Sequence, residues 1–213
     1  IGSNGKSGGI SLESGSSEND GSGSISIATG VSSIGGAAGN IDINSGTSSS
    51  ALGGNISVEA GDSVGSGGSI GMISGAGTDL SGDMIAQTAD GIEGASGLIK
   101  ISTGLARIGN SGIMELATGN ADRGTGGDIA VSSGDSATTN GGAVSIFAGD
   151  SNGDAVTGGV ISLKGGASST GNGGDIDLTS GQSESNTSGS VLIQSSDKSF
   201  SSGDVMVKSG VSG

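Results

Sequence analysis

One motif recurs along the chain: a glycine, one variable residue, then two aliphatic residues separated by a single residue. Residues 126 to 150 contain it twice, in GGDIAVSSGDSATTN and GGAVSIFAGD. Fourteen such repeats follow one another at spacings of 14 to 17 residues, with a mean of 15. A period held over so many repeats is typical of a repeat architecture and not of low complexity alone. The first aliphatic positions are Ile10, Ile25, Ile41, Ile56, Ile70, Met84, Ile99, Met114, Ile129, Val144, Ile161, Ile176, Val191 and Val205.

The aliphatic pairs predict β-strands. In almost every repeat a second aliphatic residue lies two positions after the first, as in Leu12, Ile27 and Val207. Residues at i and i+2 of a strand share one face, and the neighbours of the pairs are mostly Ser, Asp, Glu, Asn, Lys or Gln. Each repeat is therefore predicted to hold one short β-strand with an apolar face and a polar face.

Glycine and other small residues occupy set positions around each pair. Every repeat has a glycine two residues before its first aliphatic residue, which indicates a corner with positive φ or a close backbone approach. A small residue such as Ser45, Ala60 or Thr118 lies four residues after the first aliphatic residue. Corner glycines of this kind include Gly23, Gly54, Gly82, Gly112, Gly142, Gly174 and Gly203.

Length variation is confined to the spacer between one aliphatic pair and the next, as in SGDSATTNGG and AGDSNGDAVTGG. Insertions at one point of a repeat are typical of a loop on one edge. The aliphatic pair is therefore predicted to lie in the structural part of each repeat, and the spacer is predicted to be a tolerant return.

Short strands joined by returns of nearly constant length predict stacked coils, with parallel strands about 4.8 Å apart and a total length of roughly 65 Å. We predict an all-β fold, a parallel β-solenoid (β-helix) of about 14 coils with a 15-residue repeat. It would run as one continuous segment over 1–213, within a longer repeat chain, and either handedness fits the pattern. Its interior ladder would consist of Ile10, Ile25, Ile41, Ile56, Ile70, Ile99, Ile129, Val144, Ile161, Ile176, Val191 and Val205.

The pattern GG-x-(I/V)-x-(I/V/L)-x-(S/A)-G resembles the Gly/Ser-rich parallel β-solenoid repeats of extracellular fibres and adhesins, including microalgal-type secreted repeat proteins. The resemblance covers the whole chain, and it implies an extracellular role that is structural or adhesive. The sequence shows no aromatic plug or amphipathic helix at either end, so we expect caps outside this segment or a rod that continues.

Composition narrows the classes of function. The net charge of −14 disfavours binding to nucleic acid or to anionic membranes. The chain has no His and no Cys, so it lacks the commonest general base and the thiolate ligands of metal sites. No apolar run reaches the length of a membrane helix. We therefore expect no enzyme activity, no cofactor, no metal site and no membrane insertion.

Three chemical alternatives have weaker support. Asp175 and Asp177 form a carboxylate pair, but they are predicted to lie on an open strand face with no cleft for catalysis. Calcium-binding repeats place Asp at a fixed position in each turn, whereas the position of Asp varies from repeat to repeat in this chain. Thin ice-binding solenoids display flat ranks of Thr, and the outward positions of this chain contain no such rank.

Apolar residues also occupy outward or spacer positions near the middle of the chain, namely Ile85, Leu98, Leu105, Ile108 and Ile113. Two interpretations remain open: local strand slippage that buries different residues, or an exposed strip that docks a partner chain.

Two N-glycosylation acceptors, Asn55 and Asn186, fit a secreted protein. These features predict a structural β-solenoid rod of an extracellular filament or surface appendage, assembling with like chains or other filament subunits. One alternative is the repeat region of a surface adhesin that binds a glycan or a surface. The others are an ice-binding protein and a disordered Gly/Ser spacer.

Overall fold

The computed structural model of the chain describes residues 7–49, 52–154, 156–197 and 201–210. Within these ranges the backbone forms neither helices nor strands. The prediction of an all-β parallel β-solenoid, or β-helix, of about 14 coils is therefore wrong for the described chain.

Successive repeats do not pair their backbones into a β-ladder in the described chain. A β-sheet exists only where the amide and carbonyl groups of one strand pair with those of a neighbour. In the described residues, the backbone hydrogen bonds instead join glycines seven to ten residues apart, within a single spacer. A 15-residue repeat with two aliphatic residues, in a chain with 49 glycines, buries too little apolar surface to offset the conformational entropy that ordering costs.

The period of the sequence survives as a regular series of bends in the spacers. The aliphatic segment of each repeat runs from the corner glycine to the small residue four positions after the first aliphatic residue, as in 127–133. These segments contain no sharp bend in the part of the chain that the structure describes. The spacers bend or turn at 18–20, 34–36, 49, 64–66, 78–79, 92–94, 107–109, 122–124, 137–139, 153–154, 169–171 and 184–186.

Seven of the described spacers are closed by the same backbone hydrogen bond, which we call the glycine clip. The amide of a corner glycine donates to the carbonyl oxygen of the glycine that follows the preceding aliphatic segment. In the spacer 46–54, Gly54 N lies 2.9 Å from Gly46 O. Clips of 2.8–2.9 Å also close the spacers 61–68, 75–82, 134–142, 149–159, 166–174 and 181–189.

The clip explains where the repeat tolerates insertions. Adjacent aliphatic pairs 14, 15 and 17 residues apart have clips that span seven, eight and ten residues respectively. In the seven clipped repeats the segment outside the clip therefore has a constant length, and the variation in repeat length lies between the two clip glycines.

No described residue is buried, so the interior that a solenoid requires is not present in the described chain. The first aliphatic residues from Ile25 to Val205 keep 49–57% of their surface exposed, and Ile10 is 101% exposed. The predicted ladder therefore forms a partly exposed series instead of a core: Ile10, Ile25, Ile41, Ile56, Ile70, Ile99, Ile129, Val144, Ile161, Ile176, Val191 and Val205.

The accessible surface area gives the scale of this exposure. The chain exposes 21541 Å² for a mass of 19.6 kDa. A folded monomer of that mass exposes roughly 8,600 Å², and its unfolded chain exposes roughly 28,000 Å². The observed area lies nearer the unfolded value, because the contacts of this chain are local.

The structure divides into two units, Ile1–Ile101 and Ser102–Gly213. Each unit contains both aliphatic segments and clipped spacers. The continuity of the predicted segment over 1–213 stays a prediction.

Candidate functional site

Close backbone packing accounts for glycine at the corner positions of the clips. A Cβ atom added to Gly54 would lie 3.0 Å from Ser45 Cβ and 3.3 Å from Gly46 N. At Gly142, an added Cβ would lie 3.0 Å from Ser133 Cβ. Such distances are tighter than nine in ten real Cβ contacts, so with any larger residue the neighbouring atoms would have to move by a few tenths of an ångström.

The same approach recurs at other corner glycines. At four of them, an added Cβ would lie 3.3–3.6 Å from the nearest atom of the residue at the start of the same spacer. These four are Gly23, Gly82, Gly112 and Gly174. Gly203 has no such neighbour within 4 Å. Among the described glycines, positive φ occurs at Gly35 (65°) and Gly109 (92°), which lie in spacer bends. Close approach, and not a left-handed backbone, thus accounts for glycine at the clipped corners.

Hydroxyl groups bridge three spacers, two of which are also closed by a backbone clip. Ser45 Oγ donates to the carbonyl oxygen of Gly54 at 2.9 Å, so two hydrogen bonds close the spacer 46–54. Ala60 holds the equivalent position before the next spacer and has no hydroxyl to donate. Equivalent bonds of 2.9 and 3.0 Å join Ser133 to Gly142 and Thr118 to Gly127.

A second set of hydroxyl groups stabilises the bends. Ser136 Oγ accepts a hydrogen bond from Thr139 N at 3.0 Å, a local pattern that favours turns. It occupies the position seven residues after a first aliphatic residue. Equivalent bonds of 3.1, 2.8 and 2.9 Å join Ser17 to Asp20, Ser168 to Gly171 and Ser183 to Asn186.

The clips and the hydroxyl bonds beside them escaped the sequence interpretation, which recognised the acceptor glycine only as the last residue of the motif and the residue before it only as small. A signal was present, because a glycine usually lies five residues after the first aliphatic residue and another always lies two residues before the next. The constant part of the repeat therefore usually begins and ends with glycine. These two kinds of glycine are the ones that a clip joins across the spacer between one constant part and the next.

The aliphatic segments present apolar side chains at the period of the repeat. The first residue of each pair is about half covered in all but the first repeat, and the second, where it is larger than alanine, keeps 61–90% of its surface exposed. The segments thus offer a periodic apolar surface to a partner.

The apolar residues outside the pairs are more exposed than the first residues of the pairs. Ile85 and Leu98 lie in the first unit, and Leu105, Ile108 and Ile113 lie in the second. All five keep 77–98% of their surface exposed. They are accessible to a partner, and their role as a lateral contact stays a prediction.

The two glycosylation acceptors lie in different parts of the repeat. Asn55 directly follows the clip donor Gly54, at the start of an aliphatic segment, whereas Asn186 ends the bend 184–186. Ser188, the hydroxyl residue of the second acceptor site, takes a hydrogen bond from Ser183 N at 3.2 Å. Both asparagines are exposed.

No pocket forms among the described residues, and none of their His, Cys, Asp or Glu side chains group in threes to hold a metal ion. The same part of the chain contains no helix long and apolar enough to cross a membrane. Comparison with protein-family models, with curated proteins and with solved structures finds no match to this chain. The candidate functional feature is therefore a periodic surface and not a cleft.

Proposed function

We propose that the chain is a structural segment of an extracellular assembly and associates with further copies of itself through its aliphatic segments. The observation that supports this proposal most strongly is that no described aliphatic side chain is buried, although one pair recurs about every 15 residues. Apolar surface left exposed at a regular period favours association.

A second copy is the partner that suits this surface best, because it presents the same period of about 15 residues. Matching one repeat brings all the others into register, within the small variation in spacer length. The exposed half of a first aliphatic residue and the larger exposed part of a second would together contribute about 2–4 kcal/mol per repeat on burial. Many repeats in register would then offset the entropy of association.

Charge opposes this association. Copies with a net charge of −14 repel one another, and salt screens that repulsion beyond a Debye length of about 8 Å at physiological ionic strength. Association should therefore be weak in low salt and stronger at physiological or higher salt. Hydrophobic burial and charge repulsion act in opposite directions, and this balance gives the proposal a direct test.

The first test is sedimentation velocity over a range of protein concentrations, at low and at physiological salt. We expect the weight-average sedimentation coefficient to rise with concentration, and to rise more in the higher salt. A variant with Ile129→Ser and Val131→Ser should associate less. Its matched control, Val64→Ser with Ile92→Ser, removes two exposed aliphatic residues from spacers and should associate like the parent chain.

A second candidate function is a non-associating Gly/Ser spacer between other parts of a longer protein. The large exposed area and the local character of the hydrogen bonds favour it, since such a composition behaves as a flexible linker. A sedimentation coefficient independent of concentration and salt would favour the spacer and contradict the assembly proposal. Equal losses in the segment variant and the spacer control would contradict the role of the aliphatic segments.

A further inference from the structure

Two spacers end in the same tripeptide at the same place. Asn140 precedes Gly141 and Gly142, and the identical sequence begins at Asn172, in each case four residues before a first aliphatic residue. Both asparagines are exposed. The final glycine of each tripeptide is the clip donor, at 2.9 Å from its acceptor.

The middle glycine has a different role from the clip donor beside it. Gly142 N donates to Gly134 O, but no hydrogen bond of Gly141 N is found among the described residues, and Gly173 N is in the same state. An amide nitrogen that donates no hydrogen bond, next to an exposed asparagine side chain, can act as an intramolecular nucleophile. Glycine after asparagine also removes the Cβ that would obstruct its approach.

We propose that Asn140 and Asn172 are sites of spontaneous deamidation. The Gly141 nitrogen attacks Asn140 Cγ to form a C–N bond, and its proton passes through solvent to the side-chain nitrogen Nδ2. The Cγ–Nδ2 bond then breaks, which releases ammonia and leaves a five-membered succinimide. Water then adds to one of the two succinimide carbonyls and opens the ring to aspartate or isoaspartate. The same steps run from Gly173 to Asn172. Water is the only co-reactant, and no oxidant or reductant is needed.

The reaction changes the chain at the clip in two ways. Each event adds one carboxylate, so modification at both sites takes the net charge from −14 to −16. The isoaspartyl product also places an extra methylene in the backbone, next to the two glycines that end the spacer. We expect the clip at Gly142 to open more often when Asn140 has become isoaspartate.

The test is peptide mapping by mass spectrometry after the purified chain is incubated at neutral and mildly alkaline pH, with a chemical assay for isoaspartate. Asn110 and Asn120, followed by Ser and Ala, are controls within the same molecule. Asn140 and Asn172 should gain the mass of an amide-to-acid change roughly tenfold faster, because glycine imposes the least steric hindrance. Asn152 also precedes a glycine, Gly153, but no clip donor follows that glycine. Its rate is the reference for an Asn-Gly pair away from a clip.

A matched variant separates the chemistry from the fold. A Cβ added at Gly141 or Gly173 would meet its nearest atom at 3.8 or 3.5 Å, which is ordinary contact, so Gly141→Ala with Gly173→Ala should keep both clips. Deamidation at Asn140 and Asn172 should then fall to the rate of Asn120. The proposal is wrong if both asparagines react no faster than Asn110 and Asn120, if they react only in denaturant, or if the double variant reacts as fast as the parent.

Discussion

The sequence suggests that the aliphatic segments are the ordered part of each repeat and the spacers the loose part. In the structure the backbone hydrogen bonds of the described residues lie in the spacers, and the aliphatic segments stay exposed. The segments hold the regular apolar pairs, yet these side chains keep about half or more of their surface exposed and their backbones form no ladder in the described chain. The spacers vary in length and content, yet backbone clips close seven of them and a hydroxyl bond closes an eighth, at 2.8–3.0 Å. Local hydrogen bonds form within the spacers, whereas burying the aliphatic side chains would need contacts that the described residues do not make.

The largest expected effect comes from removing two adjacent pairs. Replacing Ile129, Val131, Val144 and Ile146 with Ser should abolish self-association at concentrations where the parent assembles. Their remaining exposed surface represents about 4–7 kcal/mol on burial. Sedimentation velocity measures the effect. The clip at Gly142 lies between the two pairs and should persist, as amide hydrogen exchange would show; loss of this clip together with association would contradict the separation of the two regions.

A somewhat smaller effect is expected from the apolar residues outside the pairs. Leu98→Ser with Ile113→Ser removes side chains that are 84% and 91% exposed, worth about 3–5 kcal/mol if both become buried. We expect weaker lateral association and no change in the amide spectrum of the spacers. Light scattering against concentration measures the result, and unchanged assembly would remove these residues from the contact.

Breaking a clip should have a local effect. In Gly142→Ala the new Cβ would lie 3.0 Å from Ser133 Cβ and 3.4 Å from Gly134 O, so these atoms must shift by a few tenths of an ångström, and we expect the clip to weaken. The net worth of one hydrogen bond, about 1 kcal/mol, corresponds to roughly fivefold faster exchange of the residue 142 amide. Gly141→Ala is the matched control. Equal exchange in the two variants would show that the clip does not depend on close approach.

Removing only the hydroxyl bond should have a smaller effect. Ser133→Ala leaves the backbone clip at Gly142 in place and should destabilise the closed spacer by about 0.5–1 kcal/mol. Ser74→Ala is the control, because no hydrogen bond of the Ser74 hydroxyl is found within the described ranges. Amide exchange at Gly142 and Gly82 measures both, and a similar change at the two glycines would argue against a specific role for the hydroxyl.

The smallest effect is expected from lengthening a spacer. Inserting Gly-Ser after Thr139 lengthens the clip span from eight to ten residues, the span that closes at 2.9 Å between Gly149 and Gly159. The added loop entropy is about 0.2 kcal/mol, so exchange at the clip amide should hardly change. A large loss of protection would show that spacer length is not free.

The sequence led to a correct location for the variable part of the repeat and to an incorrect fold. In the seven clipped repeats, spaced 14, 15 or 17 residues apart, the length difference lies between the two clip glycines, as the spacer lengths suggest. The solenoid prediction treated the alternation of Ile129 and Val131 as evidence for a strand ladder. Alternation determines which side chains would lie on the same face of a strand. It does not determine whether the backbone of that segment pairs with the backbone of another, because pairing depends on residues far apart in the sequence.

The candidate contact surface was also predictable only in part from the sequence. The positions of the aliphatic pairs and of Leu98 and Ile113 follow from the sequence, but their exposure does not, because exposure depends on whether another repeat lies over them. The deamidation sites combine both kinds of information. The Asn-Gly dipeptides are visible in the sequence, while the difference between Gly141 and Gly142 as hydrogen-bond donors is not.

By itself the sequence determined the period, the places of glycine and the net charge of −14, since these are properties of the residues in order. The tertiary structure decided which groups meet. A glycine pair seven to ten residues apart can form a hydrogen bond at small entropic cost, whereas pairing whole repeats must order about fifteen residues for each pair of aliphatic side chains covered. The spacers therefore close, and the aliphatic surface stays open.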